Sequence, residues 1–131
     1  MSDLSQHIQH DDWKKEKHVP VIECPDRVVS GENFDVKVTL GKEINHPNTT
    51  EHHIDWMSLY FKPENQKNIL VIGNYEFSAH GQSTEGPNQG PVYTHHSVTA
   101  TMKTKKPGVL HAVAYCNIHG LWESRKSVQL A

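Results

Sequence analysis

The regular alternation of apolar and polar side chains constrains the fold of this chain more than any other feature. In the segment NFDVKVTL, apolar residues from Phe34 to Leu40 alternate with polar ones, as in a strand with one buried face. Turn residues separate such segments, and a helical pattern is limited to a short turn at residues 3–9. The sequence therefore predicts an all-β chain, an immunoglobulin-like antiparallel β-sandwich of about seven strands. The other predicted strands lie in HIDWMSLYF, NILVIGNYEF, SVTATMK, GVLHAVAY, SRKSVQL and, more weakly, HVPVIEC.

The length and the polar opening sequence indicate one domain behind a short tail. The chain has 131 residues, which fits one domain, and we expect a polar N-terminal tail at 1–12 and a single domain at 13–131. The net charge of -2 provides no basic surface for nucleic acid. No apolar run is long enough to span a membrane. We therefore expect a cytoplasmic protein with no nucleic-acid or membrane partner.

Histidine is abundant, and three segments combine it with other potential metal ligands. The chain contains 11 histidines and two cysteines. The three segments are EKHVP at 16–20, NHPNTTEHHI at 45–54 and CNIHG at 116–120. Because turns and loops connect the strands, these segments can meet on loops at one end of the sandwich. The sequence predicts a metal site there.

The spacing within these segments narrows the choice of ligand residues and of metals. The Cys-x-x-His spacing lets a tight turn present Cys116 and His119 to one ion, with backbone N–H groups pointing at the sulfur. His52 and His53 are adjacent, so an extended backbone sends them to opposite faces and only one should bind. Imidazoles with one thiolate suit iron, copper or zinc, and do not suit magnesium or calcium.

The remaining histidines and the second cysteine are expected outside the site. We expect His111, in an apolar strand, to be a hydrogen-bonded core residue, and the role of His80 is open. Cys24 is expected to be a free structural thiol, since a disulfide is disfavoured in a reducing cytosol. Five other histidines are expected at the surface, behind the ligands or in the tail: His7, His10, His53, His95 and His96.

Three longer segments together closely resemble the superoxide reductases of the one-iron, neelaredoxin type: EKHVPVIE, GKEINHPNTTEHHI and YCNIHGLW. The resemblance covers the chain from about Trp13 to Leu130. It implies that 13–131 is a superoxide reductase domain with one mononuclear iron, Fe(2+)/Fe(3+), per chain. The implied ligands are four histidines in a plane and one axial cysteinate: His18, His46, His52, His119 and Cys116.

The resemblance also implies two catalytic residues and an activity. Glu16 is implied as a sixth ligand in the oxidised state only, and Lys17 as a positive charge near the open position. The implied reaction is the one-electron reduction of superoxide to hydrogen peroxide without oxygen release, in detoxification during oxidative stress. The implied partners are superoxide as substrate and a rubredoxin-like electron donor. The implied assembly is a homotetramer, with a dimer as the alternative.

Two other functions compete on the residues alone. A cupredoxin-like electron-transfer protein is also a β-sandwich, but its copper site uses a methionine soon after the last histidine. No methionine follows Met102. A binding module with structural zinc has a closed, four-coordinate site, which needs fewer ligands than this chain offers.

Overall fold

The two sheets predicted from the alternation are present in the computed structural model, which describes residues 2–131. One sheet has the strand order β1-β3-β6 and the other the order β2-β8-β7-β4-β5. A short 3₁₀ helix at Leu4–His7 coincides with the predicted turn at 3–9. The strands are β1 (Val21–Glu23), β2 (Arg27–Val28), β3 (Phe34–Thr39), β4 (Ile54–Pro63), β5 (Leu70–Glu76), β6 (Ser97–Met102), β7 (Gly108–Cys116) and β8 (Gly120–Leu130).

Each segment in which the sequence predicts a strand contains a strand in the structure. Strand β2 was not predicted. Strand β2 has two residues, which is too short to show an alternating pattern. It pairs in parallel with the end of β8, with Arg27 opposite Gln129. The other strand pairs between Ser2 and Ala131 are antiparallel, which confirms the predicted antiparallel sandwich.

The core lies between the inner faces of the two sheets. In β3, Phe34, Val36 and Val38 are buried while the intervening residues are exposed, so the period-two pattern marks the buried face. Both sheets contribute to one buried cluster. In β7 the inward residues are Leu110, Ala112 and Ala114.

His111 lies on the other face of β7, where it is half-buried and opposite Arg125 of β8. The prediction that His111 is a core histidine is therefore wrong. Its neighbours Leu110 and Ala112 face the core, and successive side chains of a strand point to opposite faces.

The topology brings the three ligand-rich segments to one end of the sandwich. Strand β1 starts where β3 ends, with Val21 opposite Thr39. Strand β4 starts where β7 ends, with Ile54 opposite Cys116. The loop at 40–53 crosses from the first sheet to the second at this end. Residues before β1, in this loop and after β7 therefore converge.

Part of the N-terminal segment, residues 2–12, lies against the second sheet. Gln9 forms a parallel bridge with Trp122 near the start of β8, and His10 lies 3.1 Å from Glu123. The boundary between tail and domain at residue 13 stays a prediction. Between Ser2 and Ala131, no helix has the length and apolar character that a membrane crossing requires.

Candidate metal centre

The turn between β7 and β8 holds Cys116 and His119 side by side. The backbone N–H of His119 donates a hydrogen bond to Cys116 Sγ over 3.4 Å, as expected from the Cys-x-x-His spacing. The ring Nδ1 of His119 lies 3.8 Å from the same sulfur. Gly120 follows with a φ of +85°, a conformation that favours glycine. The turn therefore presents Sγ and Nδ1 in the same direction.

His18 reaches this turn from the segment before β1. Its Nε2 lies 3.1 Å from His119 Nδ1. Metal–nitrogen bonds of about 2.1 Å at right angles place two nitrogens about 3 Å apart, so this spacing suits adjacent ligands of one ion. On the other side of the ring, Nδ1 of His18 lies 2.5 Å from Glu16 Oε1. That acceptor places the proton on Nδ1 and leaves the lone pair on Nε2.

His46 and His52 come from the loop between β3 and β4. Their Nε2 atoms are buried and have no hydrogen-bond partner in the part of the chain that the structure describes. His46 Nδ1 lies 2.7 Å from the carbonyl oxygen of Pro47, which places the proton there and leaves the lone pair on Nε2. Buried polar atoms are almost always paired. Two unpaired imidazole nitrogens in one cluster therefore favour a bound metal ion.

The four imidazoles occupy the corners of a nearly regular quadrilateral. Around its sides, neighbouring ring centroids are 4.8, 4.9, 5.0 and 4.6 Å apart, in the order His18, His46, His52, His119 and back to His18. The diagonal between His18 and His52 is longer, at 6.4 Å. Four potential ligand atoms, from His18, His52, His119 and Cys116, all lie within 4.8 Å of one another. The five side chains named from the sequence thus lie together.

Burial differs across this cluster. Cys116 is 1% exposed, and His18 and His46 are each 5% exposed. His52 is half-buried and His119 is exposed. The cluster is therefore enclosed at its sulfur and reaches solvent at His119.

Three of the four imidazoles, those of His18, His46 and His52, are held in the neutral form that binds metals. Burial lowers the pKa of His46 to about 3. Burial also lowers the pKa of His18 and His52, and the positive charge of Lys17 adds to the effect at both. Metal binding requires neutral imidazole, so these side chains need lose no proton at neutral pH. Lys17 directly precedes His18 in the chain.

Glu16 contacts the outer side of His18. Its carboxylate accepts hydrogen bonds from the backbone N–H of His18, over 3.1 Å, and from the ring Nδ1. Burial raises the pKa of Glu16, but the hydrogen bonds from the ring and the backbone N–H of His18 outweigh it, and the pKa is lowered. A carboxylate bonded to the outer nitrogen of a ligand histidine orients the ring and increases its basicity. The sixth-ligand role of Glu16 stays a prediction.

Asn117, which the sequence patterns did not single out, joins two of the ligand segments. Its backbone N–H donates to the carbonyl of His53 over 3.2 Å, and its side-chain oxygen accepts from the N–H of His53 over 2.9 Å. Its side-chain NH₂ donates to the carbonyl of Glu51 over 2.9 Å. Asn117 therefore holds both neighbours of His52 against the turn that contains Cys116. Its position inside the Cys-x-x-His turn was the one available signal.

A second histidine cluster lies apart from the first. The rings of His53 and His80 stack with centroids 3.5 Å apart and planes 4° apart. His53 Nε2 bonds Asp55 over 2.8 Å, and His80 bonds the carbonyl of Phe77 and the side chain of Asn48. The lone pairs of parallel rings do not converge on one point, so this pair is poorly suited to chelate an ion. The stack instead supports the loop that carries His52.

Other side chains pack around the candidate centre. Trp122 stacks on His18, with centroids 5.1 Å apart. His96 is buried beside His46, with centroids 5.7 Å apart, whereas His95 is exposed. Cys24, directly after β1, is a half-buried free thiol, as expected.

Comparison with known proteins identifies the family. The sequence profile of the desulfoferrodoxin family matches residues 10–125. The chain is 61% identical to neelaredoxin of Megalodesulfovibrio gigas over 123 residues, which cover 94% of this chain and 95% of that protein. It is 52% identical to superoxide reductase of Pyrococcus furiosus over 126 residues, or 96% of this chain and 99% of that protein.

A solved structure agrees with these sequence matches. The reduced form of superoxide reductase (neelaredoxin) from Archaeoglobus fulgidus superposes with a TM-score of 0.88 at 52% identity, covering 94% of this chain and 98% of that chain. Sequence and fold match over nearly the whole length, and the chain belongs to the desulfoferrodoxin family.

Proposed function

We propose that this chain is a superoxide reductase, which reduces superoxide by one electron to hydrogen peroxide without releasing oxygen. Family membership and the activity named for the relative from Pyrococcus furiosus support this proposal. Within this chain, the observation that carries it is the quadrilateral of four imidazoles beside a buried cysteine. Protection against oxidative stress is the role that this activity supports.

We assign one mononuclear iron per chain to the cluster, with His18, His46, His52, His119 and Cys116 as ligands. The fit rests on the unpaired Nε2 atoms and on imidazole and thiolate donors, which suit iron. Five donors exceed the four of a closed structural zinc site. When bound, iron(II) supplies the electron that superoxide takes up.

The residues around the cluster bind and orient. Four neutral imidazoles and one thiolate leave part of the charge of a divalent ion uncompensated, which favours an anionic substrate. Lys17, which precedes His18 in the chain, adds positive charge to this segment and attracts superoxide. We propose that its ammonium group would supply a proton to the peroxide. Glu16 orients His18 through Nδ1, and we propose that it would also provide the sixth ligand in the oxidised state.

An external donor must reduce the iron again after each reaction, and we propose a small rubredoxin-like carrier in the cytoplasm.

We further propose a homotetramer, with a dimer as the alternative. Among residues 2–131, β5 pairs only with β4. At its start, Ile69, Leu70 and Val71 are 50%, 53% and 58% exposed. Natural proteins usually cover such an apolar edge strand. In a homo-oligomer, a second copy of this chain would cover it.

The test combines metal analysis with reaction stoichiometry. We expect iron, a sulfur-to-iron charge-transfer band in the oxidised protein, and one peroxide formed per superoxide consumed when reductant is in excess. Oxygen release with half that peroxide would indicate dismutation and overturn the proposal. A colourless zinc protein would support the binding module, and a copper protein would support the cupredoxin-like carrier.

A further inference from the structure

The N-terminal segment pairs with the part of β8 that follows the candidate ligand His119. The backbone N–H of Gln9 donates to the carbonyl of Leu121 over 3.0 Å, and the N–H of Glu123 donates to the carbonyl of Gln9 over 2.9 Å. These bonds form a short parallel ladder along the edge of β8. Gln9 is thereby fixed beside the turn that carries Cys116 and His119.

The side chain of Gln9 reaches further, to His119 itself. Its Nε2 donates to the backbone carbonyl of His119 over 2.9 Å. The indole N–H of Trp122 donates to the same carbonyl over 3.2 Å. Two donors therefore hold one peptide group, which restrains the backbone at His119 and thereby the direction of its side chain.

Burial does not fix His119 as it fixes His18 and His46. His18 and His46 are each 5% exposed and packed on several sides, whereas His119 is exposed. The peptide after His119 leads into Gly120, a residue type with wide backbone freedom. Contacts to the backbone must therefore supply the restraint that packing supplies elsewhere.

We propose that Gln9 is a positioning residue of the metal centre, which holds His119 in ligating position through its carbonyl. This inference rests on the proposed function. The family profile begins at residue 10, so Gln9 lies outside the region that it matches. In this view, the end of the polar N-terminal segment is part of the structure that retains the metal.

Gln9→Met separates the side-chain contact from the backbone ladder. Methionine has a similar length and no donor, while the backbone bonds of residue 9 remain. Gln129→Met is the matched control, because Gln129 is exposed at the other end of β8. Gln9→Glu goes further, since a carboxylate repels the carbonyl of His119. The probe is iron(II) itself, released from the reduced holoprotein to an excess of coloured chelator.

We expect Gln9→Met to release iron(II) roughly 3–10-fold faster than wild type, the range of one net hydrogen bond. Gln9→Glu should release it faster still, and Gln129→Met at the wild-type rate. The urea midpoints of the metal-free Gln9→Met and Gln129→Met proteins should agree.

Equal release rates for Gln9→Met and wild type would overturn the inference. So would a loss of metal-free stability that matches the faster release. A wild-type protein that binds no iron would overturn both proposals, whereas normal binding with unaffected variants overturns only this one.

Discussion

Glu16 Oε1 lies 2.5 Å from Nδ1 of His18, on the opposite side of the ring from the Nε2 that approaches His119. The imidazole of His18 therefore lies between the carboxylate of Glu16 and the candidate metal position. Such an arrangement fixes the tautomer and the direction of a ligand histidine. It gives Glu16 a role that is independent of the oxidation state.

This relationship predicts that Glu16 contributes to metal retention. Glu16→Ala should weaken iron(II) binding roughly 10–100-fold, the range found for such outer partners. Glu16→Gln, which keeps an acceptor for His18 Nδ1, should weaken it less. Chelator competition on the reduced protein measures both. A Glu16→Ala protein that binds iron(II) normally, and differs only in its oxidised spectrum, would leave Glu16 with the sixth-ligand role alone.

Cys116 is predicted to supply the thiolate of the centre. Cys116→Ser should abolish the charge-transfer band of the oxidised protein, because the sulfur donor is lost. Cys24→Ser is the control, since Cys24 is also a free thiol but lies outside the cluster. Absorption spectra of the two iron-loaded variants provide the comparison. A band that persists in Cys116→Ser, or disappears in Cys24→Ser, would contradict the assignment.

Lys17 is predicted to attract the anionic substrate. Lys17→Ala should slow the reaction of the reduced protein with superoxide about tenfold at low ionic strength, the lower end of electrostatic rate effects. It should also flatten the dependence of that rate on salt. Pulse radiolysis measures the rate directly. Lys105→Ala, at the opposite end of the sandwich, should behave as wild type, and an equal loss in both would point to net charge instead of position.

The metal-free protein is predicted to lose stability as the pH falls. Burial lowers the pKa of His96 to about 4 and that of His46 to about 3. Both stay neutral in the folded state while the unfolded chain gains protons below its usual pKa of about 6.5. The free energy of unfolding should therefore drop by about 2 kcal/mol per histidine between pH 7.5 and pH 5. Urea titrations across this range test the slope, and His96→Gln should make it shallower. A stability that rises toward pH 5 would contradict the burial of these neutral rings.

The exposed edge of β5 is predicted to mediate assembly. Val71→Lys places a charge on an apolar edge strand and should shift the protein to smaller assemblies. Val92→Lys is the control, since Val92 is 62% exposed but lies outside the strands. Sedimentation of both variants measures the change. An unaltered assembly in Val71→Lys would place the subunit contact elsewhere.

The fold was largely predictable because most strands are long enough to show alternation, as β3 and β7 do. The two residues of β2 are too few to do so. The prediction for His111 was wrong because the alternation defines two faces of a strand but does not indicate which face packs against the other sheet.

The sequence predicted that the three ligand segments meet at one end of the sandwich, but not the exact position at which their side chains converge. That position depends on the pairing of Ile54 with Cys116 and of Val21 with Thr39, which no local pattern specifies. Gln9 and Asn117 were missed for a related reason. A glutamine or asparagine that bonds a distant backbone carbonyl has no periodic signature, so its role becomes visible once the chain is folded.

The burial of Cys116 bears on the durability of the enzyme. Peroxide, the product of the proposed reaction, converts accessible thiolates to sulfenic and then irreversibly to sulfinic acids. With 1% of its surface exposed, this thiolate lies beyond the reach of an oxidant that escapes through the open side at His119. We therefore expect this burial to slow inactivation of the protein by the peroxide that the proposed reaction forms.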